Sequence, residues 1–381
     1  MKKTVSLLVA ILCLGSVSAQ NFNLFKNLKK GEFKVGFKHE ILNDYSRTFD
    51  KENKYRPIQL TVWYPASSIT DNKPLLYDDY VQLFHKDKAL AIKQFKKDPL
   101  QYGAKDSILD QILRSKTLAY KDAKAQIGSF PLVLFTPGID EKSYSNAILC
   151  EMLASNGYIV ASTSYVGAYS SIEENAPTIY TEPQIRDLEF ILAYMRDFGN
   201  VDFEKIGLMG HSAGGNAALV LALRNFNIDA IALLDGSFVG MGELSEFSYF
   251  KPKYLTIPYL HFISGYWRKK GEVSKDFSNQ FFDGITGIDA YTLDMLDLLH
   301  QSFVSDMHLR FDNSGIDYKK LGFDVDEKKT DESYQVISEL VLTFFNHYLK
   351  KENINFLSEL EKLKKNHPDI FEIETKPTIK N

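Results

Sequence analysis

The chain has 381 residues, of which 44% are hydrophobic and 25% are charged, and its formal net charge is −4 at pH 7. This composition is typical of a globular protein with one α/β domain or two modest ones, and it argues against a disordered chain. No dense stripe of Lys and Arg is present. We therefore expect no nucleic-acid partner.

Residues 1–19 have the pattern of a secretory signal peptide. Lys2 and Lys3 precede a short apolar run, and the segment ends in small residues at 17–19. The apolar run is too short to span a bilayer. Cys13 raises the alternative of lipid attachment, but the residues just before it are not the small ones such sites use. We expect an exported chain, periplasmic or extracellular, in which Cys150 is the one remaining cysteine and is a buried core thiol.

The chain then divides into a helical insertion and a regular α/β pattern. Residues 33–42 and 57–64 are predicted strands, and 76–124 is predicted to form two or three helices that could act as a lid. Beyond residue 130, the predicted strands are 131–135, 158–163, 205–209, 228–234, 258–263 and 290–298. The predicted helices are 144–156, 182–198, 213–224 and 333–349. Alternation of this kind predicts a mostly parallel, doubly wound sheet with helices on both faces, within a domain over 20–350. Residues 351–381 are predicted to be a charged helical tail.

The segment Gly210–Gly214 reads G-H-S-A-G and lies between a predicted strand and a predicted helix. In that context, G-x-S-x-G forms a nucleophile elbow, a strained turn that exposes the serine hydroxyl above the sheet. The glycines are expected because side chains at those positions would collide with the adjacent strand and helix. The alternative is a β–α turn of small residues without chemistry. Ser212 is the candidate nucleophile.

A serine nucleophile needs a base, and the base needs an acid that orients it. In proteins with this elbow, the acid follows the serine along the chain and the histidine comes last. Asp235 stands at the carboxyl end of the next strand, whereas Asp229 begins that strand and would face the opposite end. Asp235 is therefore the candidate acid, although Asp-Gly is also a common turn.

Five histidines follow Asp235: His261, His300, His308, His347 and His367. His261 lies inside a predicted strand, and the last two lie in the closing helix and the tail. His300 directly follows a strand end and His308 comes eight residues later. Position alone favours His300 and leaves His308 open.

Several segments together resemble the plasma-type platelet-activating-factor acetylhydrolases and their bacterial relatives, within the α/β-hydrolase and dienelactone-hydrolase-like group. The similar segments are Val62–Pro65, Phe130–Gly138, Leu153–Val160, Gly210–Gly215 and His300–Phe303. The resemblance covers roughly residues 57–350. It implies the α/β-hydrolase fold, and it favours His300 over His308 because the family's histidine is followed by Gln, a small polar residue and Phe.

The resemblance also implies an oxyanion hole made by the backbone N–H groups of Ala213 and Ile139. The family usually has His-Gly in the loop before the second donor, whereas this chain has Pro137-Gly138. The backbone donors are retained, but a hydrogen bond from that histidine is not.

These residues predict a secreted serine ester hydrolase that cleaves acyl esters, short-chain or lipid-type, with no cofactor or metal. The expected partner is a small-molecule or lipid ester, and the sequence does not indicate the oligomeric state. One alternative is a binding protein without catalytic activity on a hydrolase scaffold. Another is an esterase for polyesters or carbohydrate acyl esters, because the 27 Phe and 21 Tyr could line an open cleft.

Overall fold

The structure is a computed structural model that describes residues 22–49, 54–68, 73–166, 181–225, 227–236, 250–266 and 276–376. The predicted signal peptide at 1–19 lies outside these ranges. Within them, no helix combines the length and the apolar character needed to cross a membrane.

One mixed sheet forms the centre of the described chain. Its strands are β1 (Lys34–Thr48), β2 (Tyr55–Ser68), β3 (Ala119–Lys121), β4 (Lys124–Ala125), β5 (Phe130–Thr136), β6 (Ile159–Thr163), β7 (Val201–His211), β8 (Ala230–Leu234), β9 (Tyr259–Ser264), β10 (Ala290–Met295) and β11 (Phe371–Lys376). The spatial order is β11-β10-β9-β8-β7-β5-β6-β2-β1-β3, with β4 paired to β2. The six strands from β6 to β10 in this order are parallel, and β2 and β11 pair antiparallel at either side.

Both faces of the parallel strands are buried, as the continuous apolar runs predict. In β5, Val133 and Phe135 point into one core cluster while Leu132 and Leu134 point into the other. Helices cover both faces. They are α1 (Tyr77–Val81), α2 (Lys88–Gln101), α3 (Asp106–Arg114), α4 (Ala147–Ser155), α5 (Thr181–Tyr194), α6 (Ala213–Arg224), α7 (Asp276–Asp283), α8 (Glu327–Tyr348) and α9 (Phe356–Asn366). The predicted doubly wound architecture is confirmed.

The insertion at 76–124 is helical only in part. Helices α1 to α3 end at Arg114, and residues 119–125 form β3 and β4, which extend the sheet edge beside β1 and β2. The prediction of helix up to residue 124 is therefore wrong for its last part. Ala119 is buried against β1, so sheet pairing outweighs local helix propensity there.

The prediction of a helical tail at 351–381 is also wrong in part. Helix α9 lies within it, but Phe371–Lys376 forms β11, which pairs antiparallel with β10. The segment F-E-I-E-T-K alternates apolar and polar residues, and Phe371 is fully buried in the core. Period-two alternation is typical of a strand with one buried face, and charged side chains are common on an edge strand. The α/β domain therefore extends through the tail to Lys376.

A buried polar network ties the insertion to the main domain. Glu151 of α4 is fully buried, and its carboxylate accepts hydrogen bonds from the Tyr80 hydroxyl (2.7 Å) and the Leu118 N–H (2.5 Å). The Trp63 indole N–H of β2 donates to the same hydroxyl at 2.8 Å. Burial raises the pKa of Glu151 to about 8, against the lowering effect of these donors. The helical insertion is thus fixed through side chains in the protein interior.

Candidate active site

Ser212 occupies a strained turn between β7 and α6. Its backbone has φ 54° and ψ −128°, which is unfavourable for a residue with a Cβ. A Cβ on Gly210 would lie 2.6 Å from the Gly214 carbonyl oxygen, and one on Gly214 would lie 2.2 Å from the Thr136 carbonyl oxygen. The turn therefore requires glycine on both sides of the serine, as predicted.

The three predicted residues Ser212, Asp235 and His300 form one hydrogen-bonded chain. The Ser212 Oγ lies 2.9 Å from His300 Nε2, and His300 Nδ1 lies 2.6 Å from Asp235 Oδ2. The other oxygen of Asp235 accepts the Ser264 N–H at 2.8 Å. The Asp235 backbone is left-handed, with φ 47°, and its N–H donates to the Phe262 carbonyl at 2.8 Å. The carboxylate is thus held by strand β9 and faces the imidazole.

The hydrogen bonds and charges around Asp235 favour its ionised form. Burial would raise the pKa of Asp235, but the hydrogen bond and charge of His300 and the Ser264 N–H hold it below its ordinary range. For His300 the directions are reversed. Burial would lower the pKa of His300, but the hydrogen bond and charge of Asp235 raise it above its ordinary value of 6.5. A neutral His300 can accept the serine proton, and the resulting imidazolium lies beside a fixed negative charge.

The alternative base predicted from the sequence, His308, lies in a different environment from His300. His308, the alternative base, is buried with Nδ1 2.8 Å from Asp312 and Nε2 3.2 Å from Asp331. Its ring stacks on Tyr334 with centroids 4.7 Å apart. Two carboxylates overcome burial and raise the pKa of His308 to about 9, so it is a charged structural group at neutral pH. It has no lone pair to accept a proton from a serine.

Replacing His308 is expected to affect stability. His308→Gln leaves the buried Asp312 without its cation and leaves Asp331 with the exposed Lys26. We expect the free energy of unfolding at pH 6 to fall by about 3–5 kcal/mol. Because the folded-state pKa is raised, this stabilisation is complete below pH 6.5 and is lost as the pH rises through about 9. Denaturant unfolding of both proteins across this pH range measures the difference.

His367→Gln is the matched control, since that histidine pairs with Glu332 in a more exposed position. Its expected cost is below about 1 kcal/mol. Equal losses in the two variants, or a loss for His308→Gln that does not shrink at high pH, would contradict this role for His308.

The loop after β5 lies directly against Ser212. A Cβ on Gly138 would lie 3.0 Å from the Ser212 Cβ. Residues 138–141 form a tight turn in which the Glu141 N–H donates to the Gly138 carbonyl at 3.2 Å and Asp140 has a left-handed φ of 62°. Ile139 is in the middle of this turn and lines the same cavity as Ser212. The two predicted backbone donors, Ile139 and Ala213, therefore belong to segments that meet beside the serine hydroxyl.

Glu141 is a functional candidate that the sequence reasoning missed. One of its oxygens accepts the Gly138 N–H (2.8 Å) and the Ser145 hydroxyl (3.1 Å), and the other lies 2.6 Å from Nδ1 of His211. Nε2 of His211 in turn lies 3.0 Å from the carbonyl oxygen of His300. The sequence does contain two relevant residues, Glu141 three residues after Gly138 and His211 next to Ser212, but nothing local indicates that they pair.

A cavity of about 500 Å³ opens over Ser212 and His300. Helices α1 and α2 and the segment between them form one wall, and the loop after β5 and the short helical segments over 300–312 form the others. The wall residues from the insertion are Val81, His85, Ala91, Gln94, Phe95 and Asp98. The insertion predicted as a lid thus borders the candidate site. In the described part of the chain, no cluster of three or more His, Cys, Asp or Glu side chains is arranged to hold a metal ion.

Known proteins support the architecture. The sequence model of the chlorophyllase family matches residues 108–256, which include Ser212 and Asp235 but end before His300. A ferulic acid esterase from Streptomyces cinnamoneus has a similar structure, with a TM-score of 0.62 and 19% sequence identity, over 90% of this chain and 96% of that one. No curated protein matches the sequence.

At 19% identity the structural likeness concerns the fold, and the family match covers less than half of the chain. The predicted fold class is confirmed. The chain has the α/β-hydrolase fold, and residues 108–256 are similar in sequence to the chlorophyllase family.

Proposed function

We propose that the protein is a carboxylic ester hydrolase in which Ser212 is the nucleophile, His300 the base and Asp235 the orienting acid. The observation that carries this proposal is the hydrogen-bonded chain from Ser212 Oγ through both ring nitrogens of His300 to Asp235. A binding protein without catalytic activity would not need this alignment. A gap wider than one water between serine and histidine would favour that alternative, and the observed distance is 2.9 Å.

The proposed reaction has two halves. Ser212 Oγ attacks the ester carbonyl carbon while His300 Nε2 takes its proton, and the imidazolium is stabilised by Asp235. The protonated His300 then gives this proton to the departing alcohol, which leaves an acyl-serine. Water then attacks the acyl carbonyl carbon while His300 takes one of its protons. His300 returns this proton to Ser212 Oγ as the bond between Ser212 Oγ and the acyl carbon breaks, so the acid product leaves and both residues are restored.

The developing oxyanion is proposed to bind the backbone N–H groups of Ala213 and Ile139. Ala213 is the first residue of α6, so its N–H has no carbonyl partner within the helix and the helix N-terminus favours negative charge. Gly138 already donates its N–H to Glu141, which leaves the next amide, Ile139, as the loop donor.

The proposed substrate is a small-molecule acyl ester, short-chain or lipid-type. A walled cavity of about 500 Å³ is in the size range of small-ligand sites. Phe95 and Tyr144 are the aromatic residues among its described lining residues, whereas many of the other large aromatics are buried in the core. The lining therefore favours small esters over a polymer that would stack along an open aromatic cleft.

Hydrolysis of p-nitrophenyl esters from acetate to dodecanoate tests this proposal. We expect kcat/KM to be highest for short or medium acyl chains and to fall for the longest, because the wall formed by α1 and α2 limits the acyl group. A flat profile up to dodecanoate would argue for an open site. The absence of any turnover would favour the binding-protein alternative.

Export is part of the same proposal, supported by the signal-like pattern of residues 1–19. Expression of the full chain in a bacterial host is expected to give a mature protein that begins at Gln20 outside the cytoplasm. Intact mass and N-terminal sequencing of the fractionated protein measure this. A cytoplasmic product that retains residues 1–19 would contradict it.

A further inference from the structure

We propose that Glu141 and His211 form a second carboxylate–imidazole pair that positions the oxyanion loop and the base His300 around Ser212. The inference rests on the proposed function and extends it, since neither residue belongs to the nucleophile, base and acid set. Both are positioning residues, because they act through the loop and through His300.

Glu141 is built into the turn that carries the proposed oxyanion donor. Its carboxylate accepts the Gly138 N–H and the Ser145 hydroxyl, which join the start of the turn to the segment that leads into α4. Burial would raise the pKa of Glu141, but His211 and these hydrogen bonds lower it below its ordinary range. An ionised acceptor makes shorter and stronger hydrogen bonds than a neutral one.

His211 connects that turn to the base. Its side chain is 2% exposed, Nδ1 lies 2.6 Å from Glu141 Oε1, and Nε2 lies 3.0 Å from the carbonyl oxygen of His300. The two imidazole rings stack with centroids 4.8 Å apart and an interplanar angle of 29°. His211 thus holds both the backbone and the ring plane of His300, the residue that must reach Ser212 and Asp235 together.

The arrangement makes one continuous polar path from the oxyanion loop to the base. It runs from the Gly138 N–H through Glu141 and His211 to the His300 backbone, while Asp235 holds the opposite side of the His300 ring. Misplacement of either end affects the transition state more than the bound ester, since both the oxyanion donor and the base act as charge develops. Loss of the pair is therefore expected to reduce kcat with little change in KM.

The test uses Glu141→Gln, His211→Phe and the double variant. His211→Phe keeps an aromatic ring against His300 but removes both hydrogen bonds. We expect each single variant to reduce kcat by at least about 10-fold and by less than the 10²–10³-fold that follows direct loss of an oxyanion donor. Because the residues act as one unit, the double variant is expected to lose little more than either single variant.

Two readouts separate positioning from general destabilisation. The negative charge of Glu141 contributes to the raised pKa of His300, so the acid limb of kcat/KM in Glu141→Gln is expected to move to lower pH. Glu151→Gln is the control, because Glu151 is also a carboxyl group in the protein interior but contacts Tyr80 and the Leu118 backbone instead of the site. It is expected to leave kcat and the acid limb unchanged.

The second readout is the rate at which a fluorophosphonate reacts covalently with Ser212, which requires no ester turnover. We expect Glu141→Gln to slow this reaction as it slows kcat. The inference is wrong if the Glu141→Gln protein folds and keeps wild-type kcat and wild-type labelling. It is also wrong if Glu141→Gln and Glu151→Gln lose the same fraction of kcat. Either result leaves the proposed function intact. If the wild-type protein shows neither ester turnover nor labelling, the proposed function is wrong, and the inference that rests on it is wrong as well.

Discussion

Ser212→Ala is expected to lower kcat for p-nitrophenyl esters by roughly 10⁶-fold, as removal of the nucleophile does in other serine hydrolases. The variant retains the oxyanion donors and the cavity, so KM is expected to change little. The strained φ of 54° at position 212 is as costly for alanine as for serine, so stability should be similar. Steady-state kinetics of the two purified proteins, with their melting temperatures, give both quantities.

Ser67→Ala is a suitable control, since Ser67 is exposed at the end of β2. It is expected to retain wild-type kinetics. If Ser212→Ala retained more than a small percentage of wild-type kcat while folded, the serine mechanism would be wrong and hydrolysis would have another origin.

Asp235→Asn is expected to reduce kcat by about 10⁴-fold while leaving the backbone geometry intact. The amide N–H can donate a hydrogen bond to His300 Nδ1, which favours the tautomer that carries its proton on Nε2, where the serine proton must go. The hydrogen bond and charge of Asp235 also raise the pKa of His300, so their loss moves the acid limb of kcat/KM to lower pH. A pH series of kcat/KM on the wild type and the variant measures both effects.

Asp229→Asn is the control for this series. Asp229 directly precedes β8 at the opposite end of the strand from Asp235, and its carboxylate accepts the Ile206 N–H at 2.8 Å. Its replacement is expected to leave kcat and the acid limb of kcat/KM unchanged. An Asp235→Asn enzyme with wild-type kcat would assign the orienting role to another acid.

Much of the fold followed from local patterns. Continuous apolar runs such as 131–135 predict buried parallel strands, and the glycines around Ser212 predict a turn that admits no side chains. Position after a strand end indicated Asp235 and favoured His300, because carboxyl ends of parallel strands meet at one edge of the sheet. Position alone left His308 open, and the family resemblance favoured His300 over it. The structure brings these three residues within hydrogen-bond distance.

Other features depend on partners far away in the sequence. Residues 371–376 become a strand because β10 offers an unpaired edge, and their charges alone favoured a helix or a tail. His308 was a plausible base until Asp312 and Asp331 were seen to enclose it. Glu141 and His211 are 70 residues apart, so no local pattern indicates that they pair.

The most direct test of the account is the site at which a fluorophosphonate attaches to the wild-type protein. The proposed mechanism predicts a single adduct, mapped by peptide mass spectrometry to Ser212, absent from Ser212→Ala and formed much more slowly in His300→Gln. The hydrogen bond of 2.9 Å between Ser212 and His300 is the structural reason for this expectation. An adduct on another residue, or one that forms equally fast without His300, would contradict the assignment of Ser212 as an activated nucleophile.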